Sequence, residues 1–123
     1  MSTSYWDLEI YTSALQLFYK VHPLTLRLPK YEMYELGSQL RRSSDSITTN
    51  IVEGYGRKRY KADFLKFLVY AHASSDETIS HLEKLNFLYP GIMSGNEILK
   101  KDYEKLGAKI LSFIRYVESS WKT

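Results

Sequence analysis

Four polar side chains, Arg42, Ser46, Asn50 and Glu53, recur at steps of four, four and three, the spacing that puts them on one face of a helix. Further along, Tyr70, Ser74, Glu77 and His81 form a matching row. Rows of this kind could line an active site, hold a metal, or hydrogen-bond to each other and fix the register of two packed helices. An active site wants a nucleophile beside its base, and neither row supplies an evident pair. A carboxylate-bridged metal in a helical bundle wants Glu-x-x-His on two helices and a Glu from each of two others. Here Glu77 and His81 are four apart, as are His72 and Asp76, and His22 stands alone. The expectation is a structural polar network of Arg42, Ser46, Asn50, Glu53, Tyr70, Ser74 and Glu77. Arg42 would face Glu77, and Asn50 would face Ser74 or Tyr70. No catalytic residue, metal or cofactor is expected.

The second candidate is a basic cluster, Arg57, Lys58, Arg59 and Lys61, interleaved with Tyr55 and Tyr60. The 123-residue chain carries a formal charge of +3, and the charge is unevenly placed. Residues 1–56 have five Lys/Arg against six Asp/Glu, and residues 67–123 have seven of each. Residues 57–66 have five basic and one acidic residue, so the cationic surplus is local. Such clusters bind phosphates through charge and counterion release, and tyrosines can stack on unpaired bases. The competing reading is ordinary surface charge, with Arg57 paired to Glu53 one helical turn back; both stand at this point. A further row, Lys101, Lys105 and Lys109, is offset by Asp102 and Glu104 and reads as a solvated face. The glycines of EGYGRK follow a helix rather than leading a strand into one, and no Gly-Lys-Ser/Thr ending exists, which argues against a phosphate loop. Gly54 reads instead as a helix terminator.

Four helices must position these groups. They are predicted over about 7–27, 35–53, 60–88 and 96–120, each from apolar residues stepping by three and four. The rows are Leu8, Tyr11, Leu15, Phe18 and His22; Leu36, Leu40, Ser43, Ile47 and Ile51; Phe64, Leu68, Ala71, Ser75, Thr78, Leu82, Leu85 and Tyr89; and Leu99, Tyr103, Leu106, Ile110, Phe113 and Val117. Pro23 should kink or end the first helix, and Pro90 with Gly91 should stop the third. No sustained two-residue alternation marks a strand. The fold class is all-α, an antiparallel up-and-down four-helix bundle forming a single domain over residues 1–123. Hydrophobic content of 44% and charged content of 25% are ordinary for a globular protein. Absence of cysteine excludes disulfides, thiolate metal sites and a thiol nucleophile. MSTSYWDLEI lacks the pattern of a signal peptide, no apolar run approaches the roughly 20 residues that span a bilayer, and the expected location is the cytoplasm. FLKFLVYA, residues 64–71, is apolar on nearly every side, where a bundle helix needs a stripe of only about 100°. A crowded core position would account for it; the preferred reading is a second face buried against another subunit.

GSQLRRSSDSITTNIVEGYGRK, followed by DFLKFLVYAHASSDE, resembles the bacterial family of intervening-sequence proteins, first noticed as reading frames within insertions of the 23S ribosomal RNA gene. The matching positions are Ser38, Gln39, Arg41, Arg42, Ser46, Ile47, Asn50, Ile51, Glu53, Gly54, Gly56 and Arg57, then Phe64, Leu65, Phe67, Leu68, Ser74 and Glu77. DLEIYTSALQLFYKV looks like the family's first helix, and the likeness weakens after Leu88. Val52 and Ser43 stand where the family usually has alanine, Thr48 where proline is common, and Pro23 is a further departure. The resemblance implies a bundle that assembles into a ring, typically a homopentamer. A distant likeness to the accessory proteins of diversity-generating retroelements implies nucleic acid and a reverse transcriptase as partners.

The function expected from these readings is a non-enzymatic, ring-forming bundle that binds nucleic acid, RNA in preference to DNA, weakly and with little sequence preference. The alternative is a structural or adaptor protein whose partner is another protein.

Overall fold

The computed structural model describes residues 4–122, so the first three residues and the last of the predicted 1–123 domain lie outside the described residues. Within them the chain folds into four long helices: α1 (Glu9–Thr25), α2 (Leu36–Gly56), α3 (Lys61–Leu88) and α4 (Ile98–Ser120). No strand occurs among the described residues. Each helix packs on its sequence neighbours, and α1 closes the circuit more loosely against α4. Ser43 meets Thr78 and Gly54 meets Phe64 across α2 and α3, while Glu83 meets Lys100 and Lys61 meets Glu118 across α3 and α4, so these neighbours run antiparallel. This is the up-and-down bundle expected from four amphipathic stripes joined by short connections.

Local chemistry sets the boundaries. Ser4 and Asp7 form a reciprocal cap on a single 3-10 turn, Tyr5–Asp7, which leads into α1. Pro23 is accommodated inside the last turn of α1, which ends two residues later at Thr25. The end of α1 is bound by a side chain from α2: Arg41 donates to Thr25 Oγ1 at 2.8 Å and to the Met33 carbonyl at 3.0 Å. A cation there also suits the negative end of the helix dipole. Tyr89, before Pro90, leaves the helical region and closes α3, and Pro90 opens a one-turn helix, Pro90–Met93. The left-handed backbone in this connection belongs to Gly95, at φ 84°.

The predicted rows of α2, α3 and α4 are buried apart from the half-buried Leu36, Tyr89 and Phe113, with Leu40, Ile47, Ile51, Phe64, Leu68, Leu82, Leu85 and Ile110 fully enclosed. The α1 row is corrected. Leu8 and Tyr11 of the predicted row are buried, but beyond them Ala14, Leu17, Val21 and Leu24 face the core, whereas Leu15 and Phe18 are half-buried and His22 is exposed. Both rows carry helical spacing. Packing selects the one in which Ala14 and Val21 let the neighbouring helix approach and no imidazole has to be desolvated.

Gly54 also differs from expectation. Helix α2 runs through it to Gly56, and neither glycine has a positive φ. Gly54 is buried where α2 crosses α3: a Cβ there would stand 3.1 Å from Phe67 Cβ and 3.3 Å from the Phe64 carbonyl oxygen. The glycine is required for close approach and not for a turn. In an exposed helix interior, alanine for glycine stabilises by about 1 kcal/mol. Here Gly54→Ala is expected to destabilise by about 1–3 kcal/mol, because the obstructing atoms are tied to the backbone of α3. A urea titration should show a lower midpoint with an unchanged slope.

Candidate nucleic-acid interface

The basic cluster occupies the turn between α2 and α3. Arg57 caps α2, with its N–H on the Gly54 carbonyl at 2.9 Å, and Lys61 is the first residue of α3. Three of the four cations have intramolecular partners. Arg57 forms an ion pair with Glu53 and lies 4.7 Å over the Phe67 ring. The Lys58 ammonium lies 3.8 Å over the Tyr55 ring, a cation–π contact. Lys61 Nζ donates to the Glu118 carbonyl at 2.7 Å, near the C-terminal end of α4, where such carbonyls lack helical partners. Arg59 is exposed and forms no ion pair or side-chain hydrogen bond among the described residues. Of the interleaved tyrosines, Tyr60 is exposed, whereas Tyr55 is buried edge-on against Phe64 and is no stacking platform. No side chain caps the N-terminus of α3, and Asp63 places a carboxylate in its first turn.

The polar stripe contracts on folding. Ser46 Oγ and Ser74 Oγ lie 2.9 Å apart across the α2–α3 crossing. Asn50 Nδ2 donates to the Ser46 carbonyl at 2.8 Å and to its hydroxyl at 2.9 Å, reaching Ser74 only through Ser46. Beneath them Thr78 Oγ1 donates to Ser43 Oγ at 2.9 Å. The outer members are not joined to this centre. Arg42 is exposed and makes no ion pair with Glu77, whose carboxylate instead lies 3.2 Å from His81 Nε2. Glu53 is taken by Arg57, and Tyr70 is 48% exposed with its ring edge-on to Phe67. The expected Arg42–Glu77 pair is therefore replaced by two local contacts at helical spacing and a solvated guanidinium. At the rim, water solvates a charge more cheaply than a long-range pair fixed at the cost of two side chains' freedom.

Elsewhere His72 lies 3.8 Å from Asp76, and His22 packs on Phe18. No group of three or more metal-ligating side chains forms among the described residues. Lys101, Lys105 and Lys109 are exposed on α4, and Lys109 reaches Glu9 at 2.6 Å.

Two residues that matter escaped the sequence reading. Arg41, next to Arg42 on the next face of the helix, is the arginine that fastens helices together. Trp121 follows the last helix and packs on Phe64 at 5.1 Å, and its indole N–H donates to the Lys58 carbonyl at 3.0 Å. Its position beyond the periodic segment removed the one signal that could have placed it.

The family model described as 23S rRNA-intervening sequence protein matches residues 6–112, a span that takes in the polar stripe and the basic turn and ends before Trp121. No curated protein matches the chain.

Because Ser46 bridges Ser74 and Asn50, Ser46→Ala is expected to cost about 1 kcal/mol. Arg42→Ala should stay within about 0.5 kcal/mol of the parent in a dilute, unassembled sample. Chemical denaturation of the two variants side by side distinguishes the contracted network from the extended one.

Proposed function

The chain belongs to the 23S rRNA-intervening sequence protein family, and on that footing we propose that it is a non-enzymatic, self-assembling helical bundle. We propose further that it binds RNA weakly and with little sequence preference through the turn carrying Arg57, Lys58, Arg59 and Lys61. The observation that carries this reading is the surplus of four positive charges within residues 57–66, set on an exposed turn at the uncapped N-terminus of a long helix. Since three of the four cations already have partners, each phosphate contact is made in competition with an internal one. Low affinity in a single copy is the consequence, and repetition of the turn in an assembly restores it through multivalency.

The self-assembly surface is the second face of α3. Val69 and Tyr70 are 51% and 48% exposed beside a half-buried Phe67, an apolar excess that a lone bundle does not need. The occupant proposed for it is another copy of the chain, in a closed ring of five. The same face supports the adaptor reading, in which a different protein docks there and no nucleic acid is bound. Neither reading assigns a reaction to the molecule.

Titration of labelled single-stranded RNA at rising salt separates the two. Binding should weaken steeply, with a logarithmic slope of roughly −3 if four phosphates are neutralised at about −0.7 each. The variant with Arg57, Lys58, Arg59 and Lys61 all changed to Ser should lose most of it. No binding even at low salt favours the adaptor. Light scattering should give a mass several times the 14.4 kDa chain, and Tyr70→Glu should return it to that of one chain. A monomeric parent at micromolar concentration contradicts the ring.

A further inference from the structure

A cavity lies beside the basic turn, between the C-terminal end of α4 and the segment that leads into α1. Its volume is about 720 Å³, and it is lined by Asp7, Leu8, Lys58, Phe113, Tyr116, Ser120, Trp121 and Lys122. That size falls within the roughly 300–1,000 Å³ typical of small-molecule sites. The lining joins two chemistries. Phe113, Tyr116 and Trp121 supply its aromatic lining, with Phe113 and Tyr116 centroids 5.9 Å apart and Trp121 nearly perpendicular to Tyr116 at 6.4 Å. Lys58 and Lys122 also line it, the Lys58 ammonium resting 3.8 Å over the Tyr55 ring, from which a phosphate would draw it. Tyr116 is 50% exposed, so its ring is accessible before any rearrangement. The hydrogen bond from Trp121 Nε1 to the Lys58 carbonyl fixes the aromatic lining to the turn that carries the cationic surplus.

Aromatic rings beside lysines are the chemistry that holds a nucleotide, with the base on a ring face and the phosphate on an ammonium group. We propose that this cavity takes one unpaired nucleotide of a single-stranded nucleic acid, its base stacked on Tyr116 with Trp121 at its edge and its phosphate on Lys58 and Lys122. The proposal rests on the RNA-binding reading and deepens it by naming single strands over duplexes. A base stacked inside a duplex presents no face to the Tyr116 ring, whereas a splayed base presents both. Continuing from Lys58, Arg59 and Tyr60 lie exposed along the turn, where the next phosphate and base of the strand would run.

The test uses the full chain carrying Trp6→Phe, so that Trp121 is the single tryptophan. Probes are a twelve-nucleotide oligo(A) single strand and a twelve-base-pair RNA duplex at low salt. The single strand should quench Trp121 fluorescence and the duplex should not. By polarisation, Tyr116→Ala should weaken single-strand binding about tenfold and leave duplex binding unchanged. Tyr116→Phe, which keeps the ring, should match the parent and shows that loss in the alanine variant is loss of stacking and not of fold. Salt-sensitive binding with no quenching and no effect of Tyr116→Ala overturns the pocket while the basic-turn reading survives. Failure of both probes to bind overturns the two together.

Discussion

At the crossing of α2 and α3 the two backbones come so close that a single methyl group at Gly54 would press on the Cβ of Phe67. Gly107 of α4 plays the same part on the other side of α3, where an added Cβ would lie 3.1 Å from Ser75 Oγ. Helix α3 is thus gripped between two neighbours at small-residue contacts. Such distances suit short polar side chains. Ser43, Ser46, Ser74 and Thr78 can span the α2–α3 gap with hydroxyls, and longer polar groups would have to leave it. The contraction of the polar stripe is therefore a consequence of the close crossing. What remains at the centre is short, hydrogen-bonded and half-buried; what leaves is charged and long.

The same geometry governs the basic turn. With α2 and α3 held close, the chain between Gly56 and Lys61 must reverse within four residues, and its side chains fold back on the ends of the helices they connect. Arg57 returns to Glu53, Lys58 to Tyr55, and Lys61 crosses to the carbonyl end of α4. These contacts anchor the turn and, in the same stroke, reduce the charge it offers to a ligand. An anion approaching it exchanges existing contacts for new ones. That favours a weak, salt-dependent mode of binding over a tight one.

The outward side of α3 stands in contrast. Its first half displays Val69 and Tyr70 beside the polar rim, and its last turn displays Phe87 at 86% exposure and Leu88 at 54%. In a bundle whose core is already filled by Phe64, Leu68, Leu82 and Leu85, this surplus apolar surface serves no internal contact. It accounts for the low amphipathic contrast of the longest helix, and it is what assembly would cover.

The helices, their order and their antiparallel pairing were legible from residue spacing, because burial of a stripe depends only on which positions recur every three to four residues. Composition likewise located the cationic surplus at residues 57–66 without any coordinates. Spacing failed where two adjacent rows were both apolar, as with Leu15–Phe18 against Ala14–Leu17–Val21; the choice between them belongs to the partner helix. It failed for Gly54, since a glycine that ends a helix and one that lets helices touch look alike in one dimension. And it failed in pairing Arg42 with Glu77, because periodicity says which side chains share a face but not how far two faces stand apart. Distances between helices, and hence which polar groups find each other, Arg41 with Thr25 or Trp121 with the Lys58 carbonyl, are set by close packing of the whole chain, and only the tertiary structure decides them.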